Sequence, residues 1–188
     1  MPFHAFSKNK IILFGDSLMS GYGLQKKHHL SNLLEDSLSK NGHNFIVVNA
    51  SVPGDTSAGG LNRIKWTLSE ENIKILVLCL GANDMLRGIK PDETKKNLEK
   101  IIKTAQNKNI KVILAGMIAP TSHGLKYKKN FDKIYPDLSK QYNLPLIPFL
   151  LEGVALKPEL NLIDGMHPNA KGIIIISKTL QEMILKNL

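Results

Sequence analysis

The sequence predicts an α/β protein: a five-stranded parallel sheet with helices on both faces. Three observations predict it. Five apolar runs are nearly continuous and do not alternate with polar residues, as strands covered on both sides must be. Helical patterns with one apolar face separate these runs and follow the last, giving a βαβαβαβαβα order that calls for parallel strands joined by crossovers. The 188 residues contain no internal repeat, low-complexity tract or linker, so the order belongs to one domain over residues 1–188.

The elements follow in turn. "KIILFG" (residues 10–15) reads as the first buried strand, and the next helix, "HLSNLLEDSLSKNG" (29–42), lines up Leu30, Leu33, Leu34 and Leu38 before Gly42 ends it. "FIVVNA" (45–50) is the second strand, and "GLNRIKWTLSEEN" (60–72) a helix with Leu61, Ile64 and Leu68 on one side. "IKILVLCLG" (73–81) is the third strand. The helix after it, "PDETKKNLEKIIKTAQNKN" (91–109), opens on Pro91 and two acids, which suit a helix N-terminus, and carries Leu98, Ile101, Ile102 and Ala105 as its core stripe. "KVILAGM" (111–117) is the fourth strand. "YKKNFDKIYPDLSKQYN" (127–143) is helical, and its Pro136 predicts a kink or an N-terminal break in that helix. "LPLIPF" (144–149) is the fifth strand, and "NAKGIIIISKTLQEMILKN" (169–187) closes the chain as a long helix. Residues 148–168 form the longest irregular stretch, and loops of that length in compact proteins tend to be functional.

Composition narrows the function. The formal net charge of +9 comes from 25 basic against 16 acidic residues, and only Arg63 and Arg87 are arginines. Readers of nucleic acid favour arginine for bidentate contacts. Lysines spread over several helices with only 6% aromatic residues read first as solvated helix faces, and second as attraction to anionic lipids or acidic partners. No nucleic-acid partner is expected. Cys79, the only cysteine, lies inside an apolar run and reads as a core residue. His4, His28, His29, His43 and His123 lack metal-type spacing, no G-x-x-x-x-G-K-[ST] or strand-following G-x-G-x-x-G occurs, and no G-x-S-x-G elbow is present. No metal and no cofactor is expected. Nor does any apolar segment reach signal-peptide or membrane-spanning length, so the expected location is the cytoplasm, or the periplasm had an export signal been removed.

In open parallel sheets ligands bind beyond the carboxyl ends of the strands. Four polar groups gather at such positions: Asp16-Ser17, Gly54-Asp55, Asn83-Asp84, and Asp164 with His167. A serine hydroxyl becomes a nucleophile when a base removes its proton, and histidine is the usual base. That base needs an acceptor to hold its other ring nitrogen, and a tight turn through Gly165 lets Asp164 fold back onto His167. Acyl transfer also needs donors for an oxyanion; the N–H groups of Ser17 and Gly54 and the Asn83 amide are candidates. Singly, each residue has a plainer reading as a helix cap, turn glycine, Asx-turn or loop histidine. Asp16 and Asp84 keep that plainer reading, as local turn and cap residues. Together the others supply every part of one mechanism.

The blocks "FGDSL", "PGDTSAGG", "LGANDML" and "DGMHPNAKG" resemble, in order and spacing, the four blocks of the GDSL, or SGNH, hydrolases. The four letters fall on Ser17, Gly54, Asn83 and His167, with Asp164 as the triad acid. The stretch from "FDKIYPDL" to "DGMHPN" is similar to the bacterial branch of multifunctional acyl-CoA thioesterase I, lysophospholipase and arylesterase. This resemblance implies a three-layer α/β/α, flavodoxin-like fold and hydrolysis of acyl esters or thioesters through an acyl-enzyme, with a small-molecule substrate and a monomer or weak dimer. It also implies a loop, here residues 84–91, that moves over bound acyl chains, with Gly88 as its hinge. Met85, Leu86, Arg87, Gly88, Ile118 and Leu156 are the expected substrate-binding residues; Leu18 and Met19 add apolar surface near the site. Apolar residues outnumber aromatics there, which favours acyl chains over sugar esters. The alternatives are a short-chain carbohydrate or small-ester acetylesterase and a non-catalytic flavodoxin-like binding module.

Overall fold

The computed structural model of the protein describes residues 8–188; His4 lies outside the described residues. Five parallel strands, β1 (Asn9–Gly15), β2 (Phe45–Asn49), β3 (Ile73–Cys79), β4 (Lys111–Ala115) and β5 (Leu146–Ile147), stand in the order β2-β1-β3-β4-β5. The helices are α1 (Ser17–Ser20), α2 (Leu30–Lys40), α3 (Ser57–Thr67), α4 (Ala82–Leu86), α5 (Pro91–Gln106), α6 (Leu125–Asp132), α7 (Ile134–Tyr142) and α8 (Ala170–Leu185). From β1 the chain steps outward to β2 and then turns back past β1 to β3. Right-handed crossovers therefore put α2 on one face and α3, α5 and α7 on the other. The contacts agree: α3 packs on α5 and α5 on α7, while α8 returns to pack beside α2. This is the three-layer arrangement with the flavodoxin-like strand order, and its switch point lies between β1 and β3.

Coverage on both faces explains the continuous apolar runs. Ile11, Ile12, Leu13 and Phe14 of β1 and Leu76, Val77 and Leu78 of β3 are at most 1% exposed. Each such side chain contributes about 1.5–3 kcal/mol of burial. Among the described residues no helix is long and apolar enough to cross a membrane.

Two boundaries differ from expectation, each for a local reason, and one expected break is found. β5 has two residues, not six, because Pro145 and Pro148 bracket it and neither can donate to the ladder. The helix expected from Gly60 starts at Ser57, where the Thr56 hydroxyl caps it by accepting from Gly59 N–H at 3.2 Å. The helix carrying Pro136 is two helices. α6 stops at Asp132, the residue whose carbonyl a nitrogen at position 136 would have engaged, and Pro136 sits in the first turn of α7, where no donor is needed.

Buried polar groups lock the helices to the sheet. Asp84, fully buried, accepts from Ser57 N–H (2.8 Å), Ser57 Oγ (2.5 Å) and Thr94 Oγ1 (3.1 Å), and so joins the starts of α3, α4 and α5. It is a clamp between elements and reaches further than the local cap expected of it. Gly81, at φ +118, turns the chain from β3 into α4; a Cβ there would lie 2.4 Å from the Tyr135 hydroxyl, which donates to Leu80 O. Removing the Asp84 carboxylate strands three donors in a dry site, so Asp84→Ala is expected to cost about 2–4 kcal/mol in urea-unfolding stability. A loss under about 0.5 kcal/mol, the range of ordinary surface changes, contradicts the clamp.

Candidate active site

β1 delivers the first group. Past Gly15 the Asp16 side chain caps α1 by accepting from Leu18 N–H at 3.0 Å, which leaves Ser17 as the first residue of that short helix. β2 delivers the second. Its loop carries Gly54 at φ +77, where any L side chain is strained although the space beside it is open. β3 and Gly81 deliver the third, Asn83 on α4. Its amide donates to Asp55 O at 2.9 Å and, more weakly, to Asp16 Oδ2 at 3.3 Å. Ser17 and Asn83 thus flank the switch point between β1 and β3.

Arg63, on α3, ties these strand ends together. Its guanidinium donates to Asp55 Oδ2 (2.8 Å), to Gly15 O (3.1 Å) and to Ala50 O, and it stacks over the Phe14 ring at 3.8 Å. One side chain therefore binds the end of β1, the end of β2 and the loop that carries Gly54. Sequence reasoning missed it, because nothing local distinguishes Arg63 from a solvated helix residue.

The last groups come from the long irregular loop. The Asn161 amide donates to Val154 O and Lys157 O, both at 2.8 Å, and the Asn169 amide to Glu159 O and Asn161 O. Leu162 N–H bonds His167 O at 2.7 Å, closing a turn with Gly165 at φ +69. Inside that turn Asp164 Oδ1 accepts from the N–H groups of Met166 and His167, both at 2.9 Å. Oδ2 accepts from His167 Nδ1 at 2.7 Å. With that tautomer set, His167 Nε2 accepts from Ser17 Oγ at 2.8 Å. Three side chains separated by up to 150 residues form one hydrogen-bonded line. Tyr22 covers the imidazole, its ring centroid 4.6 Å from that of His167.

Two carboxylates are tuned in opposite directions. The N–H groups of His167 and Met166, then the His167 ring, hold Asp164 down to about 2, so it stays an anion. Burial pushes Asp16 up to about 6, the Leu18 N–H opposes that, and the Asp55 charge adds to it. Among the described residues the N–H groups of Ser17 and Gly54 have no hydrogen-bond acceptor. They are free to receive an incoming oxygen.

Beside this line opens a cavity of about 440 Å³. Of the six expected substrate-binding residues, Met85, Leu86, Ile118 and Leu156 line it, and so does Leu18. Arg87 and Gly88 do not. The Arg87 guanidinium turns away to donate to Gly54 O at 2.9 Å, and Gly88 faces the His123 ring. Met19 also departs from expectation, being fully buried. Residues 84–91 are anchored: Ile89 N–H bonds Asp84 O, and the Tyr127 hydroxyl donates to Ile89 O at 2.8 Å. Met117, Phe149, Leu151 and Met166 complete the wall, with Tyr22 and Phe149 as its aromatics. The first three of these follow strand ends, a signal that extends to all five strands and was used for only some of them.

Comparison with known proteins places the chain among relatives. The profile of the GDSL-like lipase/acylhydrolase family matches residues 13–173. An arylesterase of Vibrio mimicus is 33% identical over 97% of this chain and 91% of its own. Thioesterase 1/protease 1/lysophospholipase L1 of Escherichia coli is 36% identical over 90% of this chain and 80% of its own. The crystal structure of TesA superposes with a TM-score of 0.90 at 33% identity, covering 96% of this chain and 100% of that one.

Two substitutions test the geometry. Below pH 4 the Asp16 carboxyl is protonated whether folded or not; between about 4 and 6 only the unfolded chain releases the proton. Stability therefore falls with rising pH across that window, by up to about 3 kcal/mol, and is level above it. Asp16→Asn is expected to lack this descent in pH-dependent unfolding, and to lower kcat more than it raises KM, because an amide has one acceptor oxygen for the two donors, Leu18 N–H and the Asn83 amide, that Asp16 serves. A descent of equal size in both proteins contradicts the assignment. Gly54→Ala, strained by about 1–2 kcal/mol at positive φ, is expected to cut ester turnover about tenfold or more with little change in Tm as the loop relaxes and its N–H swings away. Unchanged turnover contradicts a role for that N–H.

Proposed function

We propose, from the premise that this chain belongs to the GDSL-like lipase/acylhydrolase family, that Ser17, His167 and Asp164 carry its hydrolysis of acyl esters and thioesters. Membership makes the chain a serine hydrolase of esters or thioesters; the assignment of each step to a residue is our reading. The observation that carries it is the unbroken line Asp164–His167–Ser17 at the mouth of an apolar cavity, beside two N–H groups that have no acceptor among the described residues.

In this reading Ser17 Oγ attacks the acyl carbonyl carbon as its proton passes to His167 Nε2. The Asp164 carboxylate holds the imidazolium that forms. The carbonyl oxygen, now an anion, takes hydrogen bonds from the N–H groups of Ser17 and Gly54. The Asn83 amide turns its loosely held proton from Asp16 to the same oxygen. The carbon–oxygen or carbon–sulfur bond then breaks as His167 returns the proton to the departing alcohol or thiol, leaving the acyl group on Ser17. Water, deprotonated by His167, reverses the sequence and frees the acid.

The cavity supports an acyl chain as the group accepted. Its wall is Leu18, Met85, Leu86, Met117, Leu151 and their neighbours, and its size falls in the range of small-molecule sites. The same reading takes the chain as one domain that acts without nucleic acid, as a monomer or weak dimer. It keeps the cytoplasm as the location with the periplasm as the alternative; Cys79, the only cysteine, is compatible with either, being fully buried with its thiol pushed well above the usual range.

The deciding experiment is a chain-length series, acetyl to palmitoyl, on p-nitrophenyl esters and CoA thioesters, with Ser17→Ala as the blank. The expected result is an optimum beyond butyryl and a loss of at least about 10⁴-fold in the blank with Tm nearly unchanged. Retained turnover in Ser17→Ala overturns the nucleophile. A sharp acetyl optimum overturns the acyl-chain reading and makes the chain a short-chain acetylesterase. Asn83→Ala is expected to lose about 10²–10³ in kcat.

A further inference from the structure

Most of the apolar surface that the fold leaves exposed lies at one end. Of the twelve large hydrophobic side chains exposed among the described residues, eight sit in segments that follow strand ends; Trp66, Ile174, Ile175 and Leu188 lie elsewhere. Five of the eight, Tyr22, Leu86, Ile118, Leu156 and Met166, form the lip of the apolar cavity. The other three lie at the same end. Val52 precedes Pro53 of the cavity wall, Ile163 shares a smaller hollow with Leu156, and Leu125 begins α6 two residues after His123, on which Gly88 rests. Leu156 and Ile163 are almost wholly in water. Exposed apolar side chains scattered singly need no explanation, but a group continuous with a cavity marks a surface that is covered when it works.

Cations slightly outnumber acids on the exposed surface of this end. Lys26, Lys27, Arg87, Lys90, Lys126 and Lys157 are exposed in these same segments. Of the acids, Asp16 and Asp84 are buried and Asp55 pairs with Arg63. Asp164, Glu152, Glu159 and, in the first turn of α5, Asp92 and Glu93 are exposed. Lysine suits a surface that is half hydrocarbon, because its stem lies along apolar groups while its ammonium reaches a phosphate. A second copy of this chain fits less well, since the pair Lys26-Lys27 and the lone Lys126 and Lys157 border the apolar lip on both faces.

We propose that this apolar lip and its cations seat the hydrolase peripherally on an anionic phospholipid bilayer, with the cavity opening onto the membrane surface. Hydrophobic side chains enter the interface while the lysines meet the headgroups; attraction of this kind is salt-sensitive. The proposal rests on the acyl-hydrolase reading only for what the cavity takes in.

The test uses the full chain carrying Ser17→Ala, so that no lipid is consumed, and co-sedimentation with vesicles of phosphatidylcholine alone or mixed with phosphatidylglycerol. Binding is expected to be at least about tenfold tighter to the mixed vesicles at low salt and to fall steeply as salt is raised. Lys26→Glu/Lys27→Glu is expected to erase the preference for the mixed vesicles. Leu125→Ser, which touches neither cavity lining nor proton relay, is expected to weaken binding about tenfold. In the background with Ser17 intact, that same substitution is expected to leave turnover of a soluble p-nitrophenyl ester unchanged, which separates failure of this proposal from failure of the catalytic reading. Absence of vesicle binding, equal binding to both vesicle types, or full binding by Leu125→Ser overturns it. So does a dimer in gel filtration that Leu125→Ser dissolves while vesicles capture nothing.

Discussion

A single guanidinium holds the geometry around Ser17. Parallel strands end as separate loops, and nothing in the ladder fixes one loop relative to the next. Arg63 does so by donating to the end of β1, the end of β2 and the carboxylate of Asp55, while Phe14 supports its face. From Asp55 the order passes on, through its backbone carbonyl to the Asn83 amide and from there to Asp16 and the Leu18 N–H. Lysine could not substitute. Its ammonium is compact, offers no planar fork, and does not stack on a ring in the same way. The donors that the proposed mechanism aims at an incoming carbonyl are thus set from below, by a residue that does not line the cavity.

Beside this frame the protein keeps two carboxylates in contrasting states. Asp164 lies in a turn whose N–H groups point at it, so it remains an anion that can hold an imidazolium. Asp16, next to Ser17 in the chain, is buried, and its negative charge is disfavoured there. Environments that push neighbouring acids apart are how one site separates their roles. In the proposed mechanism the exposed acid serves the proton relay and the buried one the scaffold. The Asn83 amide is where the two systems meet, with one proton committed to Asp55 O and the other held at 3.3 Å, loosely enough to be redirected.

The same topology explains why the chemistry and the exposed apolar surface share one end. All five strands point the same way, so every strand-end loop emerges on one side. Loops that must frame an apolar cavity cannot also bury their own hydrophobic side chains, and α6 and the turns near Leu156 and Ile163 leave theirs in water. The opposite end of the sheet carries short connections and none of the eight exposed side chains.

Much of this was legible in the sequence, and the division follows the range of the interactions. Strand positions came from continuous apolar runs, because burial on both faces is a property of consecutive residues. The pairing of Asp164 with His167 came from a four-residue turn. Pro136 announced a helix break, although only the chain fold showed that the break falls at Asp132–Lys133, where the missing hydrogen bond would have been. By contrast, the partners of Arg63, the turning away of Arg87 toward Gly54, the lid of Tyr22 over His167 and the full burial of Met19 depend on contacts between distant segments. Sequence by itself determined which elements form and which polar residues stand at strand ends, since those follow from local periodicity and turn chemistry. Only the tertiary structure decided which of those residues face the cavity and which brace it, because side-chain direction is settled by packing against neighbours far away along the chain.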